Sequence, residues 1–338
     1  MTNRFRHSPI LALITLVLFY LGGCATVNLD SHAMRRDLIR HLAGDRPEPR
    51  LLVEGVMGLF DGTDGGSGST ASVAEALQAP VMLVLDARHQ GQTAAALAAG
   101  IATQLPDGVS LAGVVLNRIA SPRHEELISA ALAERGIALF GSLPANGDIE
   151  IPSRHLGLVQ AADLAASGAL EPMIDKAAEL VAAHLDLGAI EAAFAGIAAP
   201  ETGPALLPPP GQRIAIARDA AFGFSYEHLM AGWRDAGAEI MYFSPLADEA
   251  PPPNADFIFL PGGYPELHLP KLSRASNFFE GLQEAATCGT RIYGECGGYM
   301  ALGEVLTDAD GRDWSMAGLL DPTDTMRARK VAGERSPP

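Results

Sequence analysis

Short apolar runs alternate with helical stretches along the first half of the chain. The runs at 51–53, 81–86 and 111–117 are rich in leucine, valine and methionine, and the helical stretches at 93–103 and 125–135 are rich in alanine. Strands of a parallel sheet carry continuous apolar runs because helices cover both faces of the sheet. The first half is therefore predicted to be an α/β unit whose strands are joined by crossover helices.

The same alternation begins again after a Pro- and Gly-rich stretch at 198–211. Such a stretch holds neither a regular helix nor a central strand, so we predict a linker there. The pattern beyond it predicts a second doubly wound parallel sheet. Its expected elements are strands at 213–217, 239–243, 257–260 and 291–293 and a helix at 226–237.

Two domains also agree with the length of 338 residues, which exceeds what one ordinary core holds. We place the first domain at 26–197, the linker at 198–211 and the second domain at 212–322. Residues 323–338 are predicted to be a disordered tail, and residues 1–25 form a signal-like or anomalous hydrophobic segment.

The balance of charge limits the classes of ligand. Forty acidic and 24 basic side chains give a formal net charge of −16. This charge opposes the attraction to phosphates on which nucleic-acid binding depends, so we expect no nucleic-acid partner. A polycarboxylate ligand would need a local basic site or a metal ion.

The N-terminus carries features of an exported protein. Arg4 and Arg6 precede the apolar run 10–19, which is too short to span a bilayer comfortably and is typical of a signal peptide. The segment 21–24 resembles a bacterial lipobox, whose cysteine, Cys24, would carry a lipid. The protein is then either a membrane-anchored lipoprotein or a cytoplasmic protein whose start is anomalous.

Cys296 is the strongest candidate for a nucleophile. The predicted strand 291–293 leads directly into a segment in which Gly294, Gly297 and Gly298 surround this cysteine. A nucleophile on a sharp strand-to-helix turn needs small neighbours, because the turn is strained and the substrate approaches the backbone closely. The free amides at a helix N-terminus also favour the thiolate. The alternative is a buried, inert cysteine.

A second candidate motif follows the predicted strand 257–260. Gly262 and Gly263 come directly after it, where exposed backbone amides can donate to a developing oxyanion. We predict the Gly263 amide as the donor. A plain tight turn is the alternative.

Two carboxylates stand out in the first half. Glu54 closes an apolar run and Asp61 follows in a glycine-rich loop, at the edge where a parallel sheet binds ligands. Such carboxylates suit Mg²⁺ beside nucleotide phosphates, although acids in a solvated loop are the alternative. The segment 64–70 is glycine-rich but lacks the lysine of a phosphate loop, so we reject that assignment.

These motifs closely resemble those of the cobyrinic acid a,c-diamide synthases. In the second half the resemblance rests on residues 217–222, 243–248, 259–266 and 294–300. In the first half it rests on residues 28–30, 54–62, 68–70, 117–118 and 154–158.

The resemblance implies a P-loop-NTPase-like synthetase domain followed by a class I glutamine amidotransferase domain of flavodoxin-like fold. The second domain would release ammonia from glutamine. The first would use ATP and Mg²⁺ to activate the a- and c-carboxylates of a corrinoid, cobyrinate or hydrogenobyrinate, as acyl phosphates that ammonia converts to amides in cobalamin biosynthesis. A cytoplasmic ligase and a homodimer are implied as well.

The resemblance also implies roles for single residues. Cys296 is the nucleophile, Glu54 is a ligand of Mg²⁺, and Asp61 positions the substrate carboxylate that is phosphorylated. The pair Arg154–His155 matches a family signature, and it either clamps a loop or contacts the substrate.

The sequence departs from the family at both ends. The family begins with a strand, a glycine-rich loop with Lys-Thr and a helix, but here the hydrophobic run 10–21 stands in that place. Class I amidotransferases use a histidine beyond the cysteine as general base, and no histidine follows Cys296. We therefore expect both domains to be incomplete and the chain alone to be impaired in catalysis.

Two other functions remain open. The first is the related cobyric acid synthase, which amidates other side chains of the same ring, although the motif 54–62 favours the diamide synthase. The second is a non-catalytic remnant or a lipoprotein that only binds a ligand.

Overall fold

Two compact units make up the chain, residues 1–204 and residues 205–338. The division falls inside the stretch predicted as the linker, while the finer domain limits stay predictions. The computed structural model describes residues 27–44, 51–55, 58–145, 168, 170–193, 195–196, 207–308 and 310–320.

The first unit is built on a parallel sheet with the strand order β1-β2-β3. The strands are β1 Val81–Asp86, β2 Leu111–Ile119 and β3 Leu139–Pro144. At the carboxyl ends of β1 and β2, Asp86 lies opposite Asn117. The helices of this unit are α1 Arg36–Gly44, α2 Thr70–Leu77, α3 Thr93–Thr103, α4 Pro122–Ala133, α5 Leu170–His184 and α6 Leu187–Ala192.

Both faces of this sheet are covered, as the apolar run of β2 predicts. Val114 and Leu116 point to one face, where they pack with alanines of α3 and with Ile128 of α4. Val115 points to the other face and packs against Val181 of α5. All five side chains are almost completely buried.

The second unit holds a parallel sheet with the order β5-β4-β6-β7, which is the flavodoxin-like arrangement. Its strands are β4 Arg213–Ala217, β5 Glu239–Phe243, β6 Phe257–Leu260 and β7 Arg291–Gly294. Its helices are α7 Glu227–Asp235, α8 Leu269–Leu272, α9 Ser276–Thr287 and α10 Gly297–Leu302, with short 3₁₀ helices at Pro245–Ala247 and Pro265–Leu267. The strands β8 Val305–Thr307 and β9 Asp313–Ser315 form a small antiparallel pair.

Helices cover both faces of this sheet too. Ile214 and Ile216 of β4 pack with Trp233 of α7, whereas Ala215 of the same strand packs with Phe278 of α9. Helices on both faces of a parallel sheet define a doubly wound fold, so the predicted fold class is confirmed.

Most predicted elements are confirmed. The strands at 81–86, 213–217, 239–243 and 257–260 have the predicted limits. The predicted helix at 125–135 begins earlier, at Pro122, because the Ser121 hydroxyl accepts a hydrogen bond from the His124 amide and caps the helix.

The prediction of a strand at 51–53 was wrong. The structure describes these residues without strand structure, because no neighbouring strand among the described residues forms a hydrogen-bond ladder with them. An apolar run indicates burial, but a strand also requires a partner for its backbone groups.

Candidate active site

Cys296 lies at the turn between β7 and α10. Its φ of 49° and ψ of −117° form a conformation that is strained for a residue with a side chain. The turn is held on both sides: the Glu295 amide donates to the Leu260 carbonyl at 3.1 Å, and the Gly298 amide donates to the Glu295 carbonyl at 2.8 Å. The cysteine is exposed, so a substrate can reach the thiol. The predicted strand–turn–helix position is therefore confirmed, and the alternative of a buried cysteine is wrong.

Glycines leave the space in which this turn forms. A Cβ atom on Gly298 would overlap the carbonyl oxygen of Leu260, and one on Gly297 would lie 2.6 Å from Cδ of Pro265. The first collision is with the backbone of β6, which cannot move aside as a flexible side chain can. Small residues next to the nucleophile are thus a packing requirement of the turn.

The Gly262–Gly263 segment follows β6 and approaches the nucleophile. A Cβ atom on Gly262 would lie 3.2 Å from Cβ of Cys296, so the two backbones are in close contact. The Phe224 amide donates to the Gly262 carbonyl at 2.9 Å, and a Cβ atom on Gly263 would overlap the carbonyl oxygen of Ala221. The structure therefore brings together the two motifs that the sequence singled out. The role of the Gly263 amide as oxyanion donor stays a prediction.

Aromatic and acidic side chains surround this contact. Phe224 and Tyr264 meet edge to face, with ring centroids 5.2 Å apart. Desolvation raises the pKa of Tyr264, and the charges of Glu266 and Cys296 add to this effect. Desolvation also raises the pKa of Glu295, although a hydrogen bond from a neighbouring tyrosine opposes it. Groups shielded from water beside the exposed thiol strengthen a hydrogen bond that is offered to a developing charge.

Asp61 lies in the first unit, in the glycine-rich loop that leads into α2. Its carboxylate accepts a hydrogen bond from the Gly58 amide at 3.0 Å. The loop is closed further along, where the Thr63 amide donates to the Ser67 carbonyl at 2.9 Å and the two hydroxyl oxygens are 2.6 Å apart. The carboxylate is exposed. Asp61 therefore presents an accessible acid from a loop of fixed shape.

The segment after Asp30 packs against this loop, a contact that sequence reasoning missed. The Gly68 amide donates to the Ser31 hydroxyl at 3.0 Å, and Nδ1 of His32 lies 3.1 Å from Oγ of Ser67. The motif at 28–30 was a signal that this segment matters. Nothing in its spacing indicated a partner more than 30 residues away.

Glu54 lies close to the start of α2. Although its side chain reaches solvent, desolvation by the neighbouring protein raises the pKa of Glu54. A Cβ atom on Gly55 would lie 2.5 Å from Oγ1 of Thr70, so this threonine packs on the backbone beside the glutamate. Within the described ranges, no group of three or more His, Cys, Asp or Glu residues could hold a metal ion. Mg²⁺ commonly takes one or two carboxylates with phosphate and water oxygens, and one glutamate fits that need.

An ion-pair cluster at the carboxyl ends of β1 and β2 was not predicted. Oδ2 of Asp86 lies 2.8 Å from Nη1 of Arg118 and 2.7 Å from Nη2 of Arg88. Desolvation acts to raise the pKa of Asp86, but hydrogen bonds from Arg88 and the charges of both arginines hold it below its ordinary value. Arg118 has a positive φ of 61°. Two guanidinium groups and one carboxylate leave a net positive charge at the ligand edge of the sheet.

Two further predictions concern Cys24 and Arg154–His155, which lie outside the described residues. Their roles stay predictions. In the part of the chain that the structure describes, every helix is too short or too polar to cross a membrane.

Comparison with known families agrees with this division into two units. A model of the CobB/CobQ-like glutamine amidotransferase domain matches residues 213–336. A model of an AAA domain matches residues 29–153. The first match contains the turn at Cys296, and the second contains the loop with Asp61.

Relatives that match more than nine-tenths of the chain extend the comparison. The three described below are each named hydrogenobyrinate a,c-diamide synthase. The protein of Rhodobacter capsulatus is 46% identical over 92% of this chain and 71% of its own length. That of Brucella abortus is 47% identical over 91% of this chain and 71% of its own. That of Rhizobium meliloti is 48% identical over the same shares, 91% and 71%. The chain therefore belongs to the family of hydrogenobyrinate a,c-diamide synthases, as the resemblance of its motifs predicted.

Proposed function

We propose that this protein is an ATP-dependent ligase that amidates the a- and c-carboxylates of hydrogenobyrinate or cobyrinate, with ammonia taken from glutamine. The contact between Cys296 and the Gly262–Gly263 segment is the observation that carries this proposal. The relatives are named for amidation of hydrogenobyrinate at these two positions. This reaction is a step of cobalamin biosynthesis. It would take place in the cytoplasm, which contains ATP and glutamine.

In the second unit, the thiolate of Cys296 attacks the carboxamide carbon of glutamine. A C–S bond forms, and the electron pair of the C=O bond moves to oxygen. The Gly263 amide donates a hydrogen bond to that oxyanion. The C–N bond then breaks, ammonia leaves with a proton from water or from the conjugate acid of a general base, and water hydrolyses the thioester to glutamate and the free thiol. The exposed thiol and the desolvated Tyr264 beside it suit this sequence of steps.

In the first unit, a substrate carboxylate attacks the γ-phosphorus of ATP, which gives an acyl phosphate and ADP. Ammonia then attacks the acyl carbon, and inorganic phosphate leaves. We assign to Asp61 the positioning of the carboxylate and to Glu54 the binding of Mg²⁺. When bound, Mg²⁺ neutralises charge on the phosphate oxygens. The net positive cluster around Arg118 lowers the barrier to an anionic ligand in a chain whose formal charge is −16.

The glutaminase half of the proposal is tested by glutamate release from glutamine. Imidazole is added as an external general base, because the chain has no histidine after Cys296. We expect release by the unaltered chain and by Cys288→Ala, which removes another exposed thiol, but none by Cys296→Ala. Equal release by both variants would remove Cys296 from the mechanism.

The synthetase half is tested separately with ammonium chloride in place of glutamine. Hydrogenobyrinic acid, ATP and Mg²⁺ are supplied, and mass spectrometry counts the amides formed. The ammonia-dependent rate of the unaltered chain should be low, because the run 10–21 stands where the family has its phosphate loop. We expect the Cys296→Ala variant to keep that rate and Asp61→Asn to lose it. A product from Asp61→Asn at the unaltered rate would contradict the role of Asp61.

A further inference from the structure

Asp219 lies in the loop that follows β4, and both of its carboxylate oxygens accept hydrogen bonds. Its Oδ1 accepts a hydrogen bond from the Ala221 amide at 2.8 Å. Its Oδ2 accepts one from the Leu246 amide at 2.8 Å and another from the Ser244 hydroxyl at 3.0 Å. Hydrogen bonds to an ionised carboxylate are about twice as strong as those between neutral groups. The side chain therefore ties the loop after β4 to the loop after β5.

The loop after β4 in turn supports the segment beside the nucleophile. The Ala221 carbonyl occupies the space into which a side chain on Gly263 would extend. Three residues further on, the Phe224 amide donates to the Gly262 carbonyl at 2.9 Å in an isolated antiparallel bridge. A Cβ atom on Gly262 would lie 3.2 Å from Cβ of the nucleophile, so Gly262 lies directly beside it. A series of direct contacts thus leads from the Asp219 carboxylate to the thiol.

The half-buried carboxylate of Asp219 can hold two loops together, because its three hydrogen-bond donors come from two different loops. Backbone amides and a short hydroxyl side chain offer few alternative arrangements, so the loops cannot shift without breaking these bonds. Oxyanion donors stabilise a transition state only when they are held in place before the reaction begins. A displacement of about 1 Å from productive geometry can lower a rate by about 100-fold.

We propose that Asp219 is a positioning residue of the glutaminase reaction, which fixes the loop after β4 so that the Gly262–Gly263 segment presents its amide to the oxyanion. The inference rests on the proposed function, since it concerns the same reaction of Cys296. Asp219 acts through the loop and does not touch the substrate. Reactions of the thiol that develop an oxyanion therefore depend on it, whereas reactions without an oxyanion do not.

Two reagents separate these two kinds of reaction. The γ-(4-nitrophenyl) ester of L-glutamate acylates the thiol through a tetrahedral oxyanion, forming a C–S bond and releasing 4-nitrophenolate, so no general acid is needed. Iodoacetamide alkylates the same thiol by displacing iodide, without any oxyanion. Both rates are measured on the Cys296 peptide by mass spectrometry, which separates it from the exposed Cys288.

We expect Asp219→Asn to lower the acylation rate about 100-fold and to leave the alkylation rate within about twofold. Ser244→Ala removes one of the three hydrogen bonds, so we expect a smaller loss of acylation in a variant less prone to misfolding. The matched control is Asp248→Asn, because Asp248 also accepts a backbone hydrogen bond, from the Phe278 amide at 3.1 Å, but caps α9 instead. It should keep both rates.

Four outcomes would overturn the inference. Acylation at the unaltered rate in Asp219→Asn would show that the loop holds its place without the carboxylate. Acylation and alkylation falling together, or an equal loss of acylation in Asp248→Asn, would assign Asp219 a merely structural role. If Cys296 of the unaltered chain takes up no acyl group at all, the proposed function itself fails, and the inference fails with it.

Discussion

Replacing Gly298 by alanine tests the packing of the nucleophile turn most directly. Gly298 lies in the first turn of α10, and its φ is not positive, so alanine meets no backbone strain there. In open helical positions this change stabilises by about 0.5–1 kcal/mol. Any loss therefore measures the collision between the new Cβ and the backbone of β6.

The structure sets the size of that collision. The Cβ would lie 2.6 Å from the Leu260 carbonyl carbon and 2.8 Å from the Pro261 oxygen, where ordinary contacts begin at 3.4 Å. Moving the carbonyl carbon from 2.6 to 3.4 Å requires a shift of 0.8 Å, and the overlap with the Leu260 carbonyl oxygen requires a larger one. A collision with backbone atoms takes the upper end of the overpacking cost, about 3 kcal/mol, which leaves a net loss of about 2–2.5 kcal/mol after the helical gain. The same shift should lower acylation of Cys296 about 100-fold.

Urea unfolding, monitored by tryptophan fluorescence, measures the change in the free energy of unfolding. The two tryptophans, Trp233 and Trp314, both belong to the second unit, so the signal reports on that unit alone. The control is Gly100→Ala in α3, where nothing lies within 4 Å of a new Cβ and the fluorescence transition should not move. An unchanged or raised midpoint for Gly298→Ala would refute the packing argument.

Three other predictions follow from the same structure. Phe222→Ala should lower the free energy of unfolding of the second unit by about 3–5 kcal/mol in the same urea assay, because the ring is fully buried; a loss below about 1 kcal/mol would contradict this. Hydrogen bonds from Trp314 and neighbouring groups lower the pKa of Asp308 from 3.8 to about 2. The stabilisation by its carboxylate is complete above the unfolded pKa and is lost as pH falls from 3.8 toward about 2, so acid titration should change Trp314 fluorescence in that window, and Asp308→Asn should remove the change. Because desolvation raises the pKa of Glu54, its charge is unfavourable in the folded state at pH values above the unfolded pKa. Glu54→Gln should therefore not lower the melting temperature at neutral pH. The rise in melting temperature that Mg²⁺ and ATP give the unaltered chain should be lost in this variant, and a retained rise would exclude Glu54 as the metal ligand.

The sheets could be predicted from sequence because each strand carries its own signal. β1 is an apolar run between Pro80 and Asp86, and β4 holds one between Arg213 and Arg218, so their limits follow from local composition. The helix α5 was missed, although Ile174, Ala177 and Val181 recur at helical spacing and are buried. The residues 51–53 were assigned wrongly, because a strand depends on a partner that local composition does not reveal.

The residues of the candidate site also fall into two groups, those marked by a local signal in the sequence and those brought together only by the fold. The turns that hold Cys296 and Gly263 could be located because glycines mark both of them in the sequence itself, while the roles of the two residues stay predictions. The hydrogen bonds of Asp219 connect it to residues 25 and 27 positions away, and His32 meets Ser67 across 35 positions. No periodicity links such pairs, so only the folded structure could show them. The positive φ of Arg118 was equally hidden, since arginine has no preference for that conformation.

The central claim is that Cys296 forms a thioester with the γ-carbonyl of glutamine. The direct measurement is acid quenching of the protein during turnover of glutamine with imidazole present, followed by mass spectrometry of the cysteine-containing peptides. We expect a γ-glutamyl group on the Cys296 peptide and none on the Cys288 peptide. Glutamate release with no acyl group on Cys296, or with the group on Cys288 instead, would contradict it.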